Sequence, residues 1–243
     1  MRSSLRRRSG GGLWPLLNGT ERRILCWVTD RLGLAGDFGG SAGTEPLLES
    51  IRWAIDAGVD WIQIREKDLG GGRLAELARG AVAAGRVKER GSREIVNDRL
   101  DVAVAAGAGG VHLGRESLPV RDVAAWRAKE KIARAGLADF LIGASCHSLE
   151  EARAAALDGV DYLIFGPAFE TPSKMRFGAP LGIDRLREVC AEIRIPVLAI
   201  GGISLANAGR CFEAGAAGIA AIRLFQDVGS AAELRERVEA LRV

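Results

Sequence analysis

The chain has 243 residues, of which 48% are apolar and 27% charged, and a formal net charge of +3. Such a length exceeds a minimal domain and sits close to the roughly 250 residues of one (β/α)8 barrel. Arg2, Arg6, Arg7 and Arg8 carry most of the excess charge, so the remainder has no broad nucleic-acid footprint, and no apolar run approaches the roughly 20 residues of a membrane span.

Residues 1–20 are basic and rich in Ser and Gly, and they are read as a flexible N-terminal extension outside the fold. Their apolar stretch, Leu13-Trp14-Pro15-Leu16-Leu17, is shorter than a secretory signal requires. Residues 21–243 are read as one catalytic domain. Its expected strands are Ile24–Thr29, Trp61–Arg65, Glu94–Asn97, Gly110–Leu113, Leu141–Ser145, Tyr162–Phe165, Pro196–Ile200 and Gly218–Ile222. Helical patterns lie between them, including Pro46–Ala57, Arg73–Arg90 and Ser148–Asp158, and Ala231–Leu241 closes the chain. Regular alternation of strand and helix implies parallel strands with crossover helices. Eight such units point to a single closed TIM barrel of the α/β class. Loose repeats support it: Ala57-Gly58-Val59-Asp60, Ala106-Gly107-Ala108-Gly109, Asp158-Gly159-Val160-Asp161 and Ala214-Gly215-Ala216-Ala217 each put Gly where a helix ends.

Cys26, Cys146, Cys190 and Cys211 lack metal-ligand spacing. Cys26 falls in a strand and Cys190 and Cys211 in helices, as small buried residues do. That usage fits a reducing, cytoplasmic setting.

In such barrels the chemistry sits at the C-terminal strand ends. Polar residues cluster there: Thr29-Asp30, Arg65-Glu66-Lys67, Asn97-Asp98, Ser145-Cys146-His147 and Gly201-Gly202. Gln63, Arg65 and Lys67 alternate, so an extended chain aims all three the same way. Two cations at one rim suit a phosphate or diphosphate, with Gln63 left for a neutral polar ring; the competing role is ion pairing with Glu66, Asp68 or Asp98. Asp98 suits Mg2+, which takes one or two carboxylates plus substrate phosphates, or caps the helix beginning at Arg99. Thr171, Ser173 and Lys174 lie in a long loop after the sixth strand, placed as a flap over a phosphate. Gly201, Gly202 and Gly218 allow close backbone approach to a phosphate near strands seven and eight. His147 stands where a general acid/base would sit, or caps a helix; His112 is read as a barrel-interior residue.

These runs resemble the thiamine phosphate synthase superfamily, which includes thiazole tautomerases. The resemblance rests on Trp61-Ile-Gln-Ile-Arg-Glu-Lys-Asp68, Ile95-Val-Asn-Asp98, Gly110-Val-His-Leu-Gly114, Ser145, Gly166-Pro167 and Ala199-Ile-Gly-Gly-Ile203. It implies a transferase that joins hydroxymethylpyrimidine diphosphate to thiazole phosphate with release of diphosphate. On that basis Arg65, Lys67, Lys174 and Mg2+ at Asp98 would stabilise the leaving diphosphate, and Ser145 would contact it. Gln63 and Asn97 would orient the pyrimidine and the diphosphate; Thr171, Ser173 and the three glycines would hold the thiazole phosphate. Two positions depart from the synthase pattern. Ser117 replaces a second metal carboxylate, and Arg223 replaces a serine at the end of strand eight. Glu116-Ser117-Leu118 and His147-Ser-Leu-Glu-Glu151 look closer to the tautomerase branch, whose metal-free proton transfer would use His147. A barrel that only binds thiazole or thiamine phosphate is the third reading. The expected partners are small phosphorylated pyrimidines and thiazoles, with neither nucleic acid nor membrane, and a homo-oligomer is compatible with all three readings.

Overall fold

The computed structural model describes residues 6–7, 13–14, 16–17, 20–34, 43–86, 92–133, 139–170 and 179–242. Eight strands form a closed, all-parallel barrel. They are β1 Ile24–Val28, β2 Trp61–Ile64, β3 Arg93–Asn97, β4 Gly110–Leu113, β5 Leu141–Cys146, β6 Tyr162–Phe165, β7 Val197–Ile200 and β8 Gly218–Ala221. Neighbours in sequence are neighbours in the sheet, and β8 pairs with β1 to close it. The sequence therefore reads the barrel correctly, with each strand bound the same or one residue different. Ahead of it, Arg6–Arg7 pairs with Leu13–Trp14 and Leu16–Leu17 with Thr20–Glu21, in separate antiparallel ladders.

The helices are α1 Glu45–Ala57, α2 Gly71–Arg86, α3 Leu100–Ala106, α4 Val120–Ala133, α5 Leu149–Leu157, α6 Gly182–Glu192, α7 Ala208–Glu213, α8 Arg223–Gln226 and α9 Ala231–Arg242. Their apolar faces and the outward strand residues make one core, with Leu25, Trp27, Ile62, Ile64, Val96 and Leu163 buried in it. Inward residues make a second, smaller core of Ile24, Cys26, Val28, Ile95, Tyr162, Ile164, Leu198 and Ala220. The period-two alternation of strands separates the two sets.

The repeated helix-to-strand joints have a common mechanism. Gly58 ends α1 at φ +88°, and its N–H closes the helix on Ala54 and Ile55. Gly107, Gly159 and Gly215 also have positive φ. Two Asp residues that follow such joints hold the barrel floor. Asp60 accepts from Leu25 N at 2.8 Å and pairs with Arg22 at 2.9 Å and Arg242 at 2.7 Å. Asp161 accepts from Ile142 N at 2.7 Å and pairs with Arg127. Each Asp ties its own strand to the preceding one at the N-terminal end.

The inside of the barrel is plugged below its mouth. Tyr162 crosses the interior, 4.7 Å centroid to centroid from Trp61 and 5.6 Å from His112. It fits because β5 has Gly143 there: a Cβ at that position would stand 2.0 Å from the Tyr162 ring. Gly218, expected in the phosphate cradle, corrects the sequence reading. It begins β8 level with Ile24, at the opposite end from the mouth. A Cβ there would meet Ile24 O at 2.1 Å, so its bareness serves strand closure rather than a ligand.

Candidate active site

Gln63, Asn97, His112 and Ser145 come from four successive strands and share the inward parity of the barrel. Arg65, Lys67, Asp98 and Ser117 follow at the rim, just past the strand ends. The mouth thus gathers most of the residues singled out from the sequence. Thr171, Ser173 and Lys174 lie outside the described residues.

Gln63 is 3% exposed. Its Nε2 donates to Asn97 Oδ1 at 2.8 Å, and Asn97 Nδ2 donates to Asp98 Oδ2 at 2.6 Å. Among the described residues, Gln63 Oε1 is buried without a hydrogen-bond partner, a state that costs about 1–3 kcal/mol and that a ligand N–H would relieve. Asp98 adopts φ +61°, the only non-glycine positive φ among the described residues. Its N–H donates to His112 O at 2.8 Å. Asp98 Oδ1 accepts from Ser117 Oγ and, at 3.3 Å, from Gly114 N. Lys67 Nζ lies 3.9 Å from Asp98 Oδ2, on a largely exposed side chain. Ser117 therefore braces Asp98.

Arg65 is half-buried at the same rim. Among the described residues its guanidinium has no hydrogen-bond or ion-pair partner. It does not pair with Glu66, which points elsewhere. Glu66 accepts from Thr29 Oγ1 at 2.5 Å and from Arg31 N at 3.0 Å, and Arg31 also reaches Asp68. Thr29 Oγ1 in turn accepts from Arg65 N at 3.0 Å. Burial raises the Glu66 pKa, while the bonds from Thr29 and Arg31 oppose the rise. This β1–β2 bracket sets the backbone at Arg65 and leaves its side chain without a counter-charge among the described residues. Sequence reasoning missed Arg31; its signal was a cation directly after Thr29-Asp30 at a strand end.

His112 is 2% exposed and links floor to mouth. Its Nδ1 is 3.1 Å from Tyr162 Oη, and its Nε2 is 2.8 Å from Ser145 Oγ. Burial lowers its pKa to about 4, with Asp98 opposing and Arg65 assisting, so it is neutral at pH 7. Reading it as barrel-interior is right in place but omits its contact with Ser145. Ser145 itself is exposed in the mouth. His147 Nδ1 lies 2.5 Å from Gly166 O. A carbonyl only accepts, so Nδ1 carries the proton and the neutral ring keeps Nε2 as a base.

Gly201 and Gly202 have φ +99° and +63° after β7. Both are pressed against the segment after β6: a Cβ at Gly202 would meet Glu170 O at 2.2 Å. Arg223 opens the short α8 and is exposed. Cavities of about 580 Å³ open elsewhere. One, lined by Arg22, Arg23 and Phe212, lies at the N-terminal end, away from these groups. The other lies outside the barrel between α3 and α4, with Asp98 on its edge. Among the described residues no cluster of three or more His, Cys, Asp or Glu is arranged for a metal.

Comparison with known proteins bears on this mouth. The family described as "Thiamine monophosphate synthase" matches residues 38–225. A Geobacter sulfurreducens protein described provisionally as a thiamine-phosphate synthase is 44% identical over 82% of this chain and 87% of its own. The thiamine-phosphate synthase of Moorella thermoacetica is 40% identical over 82% of this chain and 92% of its own. Among solved structures, thiamine phosphate pyrophosphorylase from Pyrococcus furiosus superposes with a TM-score of 0.71 at 33% identity, covering 90% of this chain and 93% of that one. The chain belongs to the thiamine monophosphate synthase family.

Proposed function

We propose that the protein is a thiamine-phosphate synthase, a transferase that joins a pyrimidine methyl diphosphate to a thiazole phosphate. Beyond family membership, the carrying observation is Arg65: a half-buried cation at the rim, unpaired among the described residues. Such a group is costly without an anion. The bond between the pyrimidine methylene and the diphosphate oxygen breaks, and diphosphate leaves with the electron pair. The thiazole nitrogen then donates its lone pair to the methylene carbon. Arg65 and Lys67 stabilise charge growing on the leaving group, with Lys174 assigned the same task. Ser145, backed by His112, contacts the diphosphate. Gln63 reads the ring, and Asn97 bridges it to Asp98. Thr171, Ser173, the backbone at Gly201 and Gly202, and Arg223 are assigned to the thiazole phosphate.

The donor set fits Mg2+ held largely by substrate: one carboxylate, Asp98, with the Ser117 hydroxyl beside it. When bound there, Mg2+ would supply further neutralisation of the diphosphate. All four thiols are unpaired, which suits the cytoplasm we assign. The test is diphosphate release from both substrates with Mg2+. No product at high enzyme concentration would refute the reading.

His147 favours a second reading, metal-free proton transfer on a thiazole carboxylate phosphate, because its Nε2 has no hydrogen-bond partner among the described residues. It requires proton exchange that disappears in His147→Asn; exchange that persists in that variant, or is absent from the wild type, excludes it.

A further inference from the structure

The amide chain at the mouth has a direction, and one residue sets it. A carboxylate offers acceptors only. Asp98 therefore forces Asn97 to present Nδ2, at 2.6 Å. Asn97 Oδ1 is then turned to Gln63, which must answer with Nε2, at 2.8 Å. The Gln63 atom left over is Oε1, buried and without a partner among the described residues. Both amides are ambiguous on their own, since each can flip end for end. Ser117 Oγ and Gly114 N donate to the far oxygen of Asp98 and keep the carboxylate in line.

We propose that Asp98 is a positioning residue for ring selection: by fixing the direction of the Asn97–Gln63 chain, it makes Gln63 present an acceptor and so selects a pyrimidine bearing an exocyclic amine over one bearing a carbonyl. This rests on the synthase reading and adds a second task to Asp98. An aminopyrimidine offers N–H toward Gln63 Oε1; a pyrimidinone offers oxygen there, and two acceptors then face each other. Metal binding at Asp98 would leave the polarity unchanged, because the remaining oxygen still only accepts.

The experiment measures dissociation constants of the 4-amino and 4-oxo pyrimidine methyl diphosphates by calorimetry, in EDTA and without thiazole phosphate. Their ratio is the readout, since changes in charge or metal affinity act on both ligands and cancel. Wild type should prefer the amine by about 10- to 100-fold, the worth of one mismatched buried contact. Asp98→Asn should fold, because Asn tolerates the left-handed φ. It frees both amides to reverse, and the preference should fall to within about threefold. The exchange double variant Asn97→Asp/Asp98→Asn restores an acceptor-only group beside Gln63, and preference should return to at least about tenfold. Melting curves of all three proteins check that they are folded. An unchanged ratio in Asp98→Asn, no recovery in the double variant, or no preference in wild type would each overturn the proposal. A wild type that discriminates the two rings but releases no diphosphate on turnover would overturn the synthase reading and leave the polarity argument standing.

Discussion

Glu94 offers a quantitative test of the packing around the barrel. It sits on β3, 6% exposed, with Oε1 buried and unpartnered among the described residues. It faces α2 where that helix has Gly85; a Cβ there would lie 2.3 Å from Glu94 Oε1. Burial under the helix raises its pKa from 4.5 to about 7, against weaker lowering by its own backbone, Arg86 and Arg93. The folded pKa lies above the unfolded one, so the fold holds the proton more tightly. The associated stability is fully present below pH 4.5 and is lost as pH rises through about 7. At 1.36 kcal/mol per unit, the loss reaches about 3 kcal/mol at high pH. Glu94→Gln keeps the shape and removes the titration. It should match wild type to within about 1 kcal/mol at pH 4.5. By pH 8.5 it should be more stable by about 3 kcal/mol, or roughly 6–12 °C in melting temperature for a chain of this size. Paired thermal and urea unfolding across that range measures the difference. A difference flat with pH, or a variant less stable at pH 8.5, would refute the argument that desolvation dominates at this carboxylate.

Ser117→Asp should add a second carboxylate beside Asp98 and strengthen Mn2+ binding to the ligand-free protein by about tenfold, seen by electron paramagnetic resonance; no change would argue against Asp98 as a metal ligand. Lys67→Met should lower kcat at least about 100-fold with little change in melting temperature, because the side chain is 63% exposed. A kcat within threefold of wild type would remove Lys67 from the leaving-group site. Gly143→Ala should cost about 2–3 kcal/mol in urea unfolding, since its Cβ would collide with the Tyr162 ring at 2.0 Å; a loss under 1 kcal/mol would mean that Tyr162 moves aside freely.

The barrel was legible because its punctuation repeats. Gly58, Gly107, Gly159 and Gly215 all adopt positive φ at helix ends, and those positions follow from local sequence alone. The rim was legible for a related reason: polar residues directly after apolar runs mark strand ends. Gly218 was misassigned even though the sequence reading already began strand eight there; the register with Ile24 puts that end at the floor, away from the mouth. Pairing of Glu66 with Arg65 or Lys67 was the competing reading, yet alternation turns Glu66 toward Thr29 and Arg31, just past the end of β1. That contact spans more than thirty residues and has no local signal. His112 had the same difficulty, since its partners Tyr162 and Ser145 come from other strands.

A neutral serine at position 117 sets the charge balance of the mouth. With one carboxylate, Asp98, against Arg65 and Lys67, the rim favours an anion more than a second acidic residue would allow. Asp98 is engaged on both oxygens by Ser117, Gly114 and Asn97, with Lys67 nearby. A divalent cation arriving alone must displace these contacts and gains one carboxylate. A cation arriving on a diphosphate brings its own oxygens, and the same diphosphate draws Lys67 away from Asp98. On the synthase reading, metal and diphosphate should therefore bind as a pair, and the affinity of each should rise in the presence of the other by the same factor. Inorganic diphosphate suffices to test it: Mn2+ titrations with and without diphosphate, against diphosphate titrations with and without Mn2+, must return equal ratios well above one. Independent binding would mean that the metal sits away from Asp98.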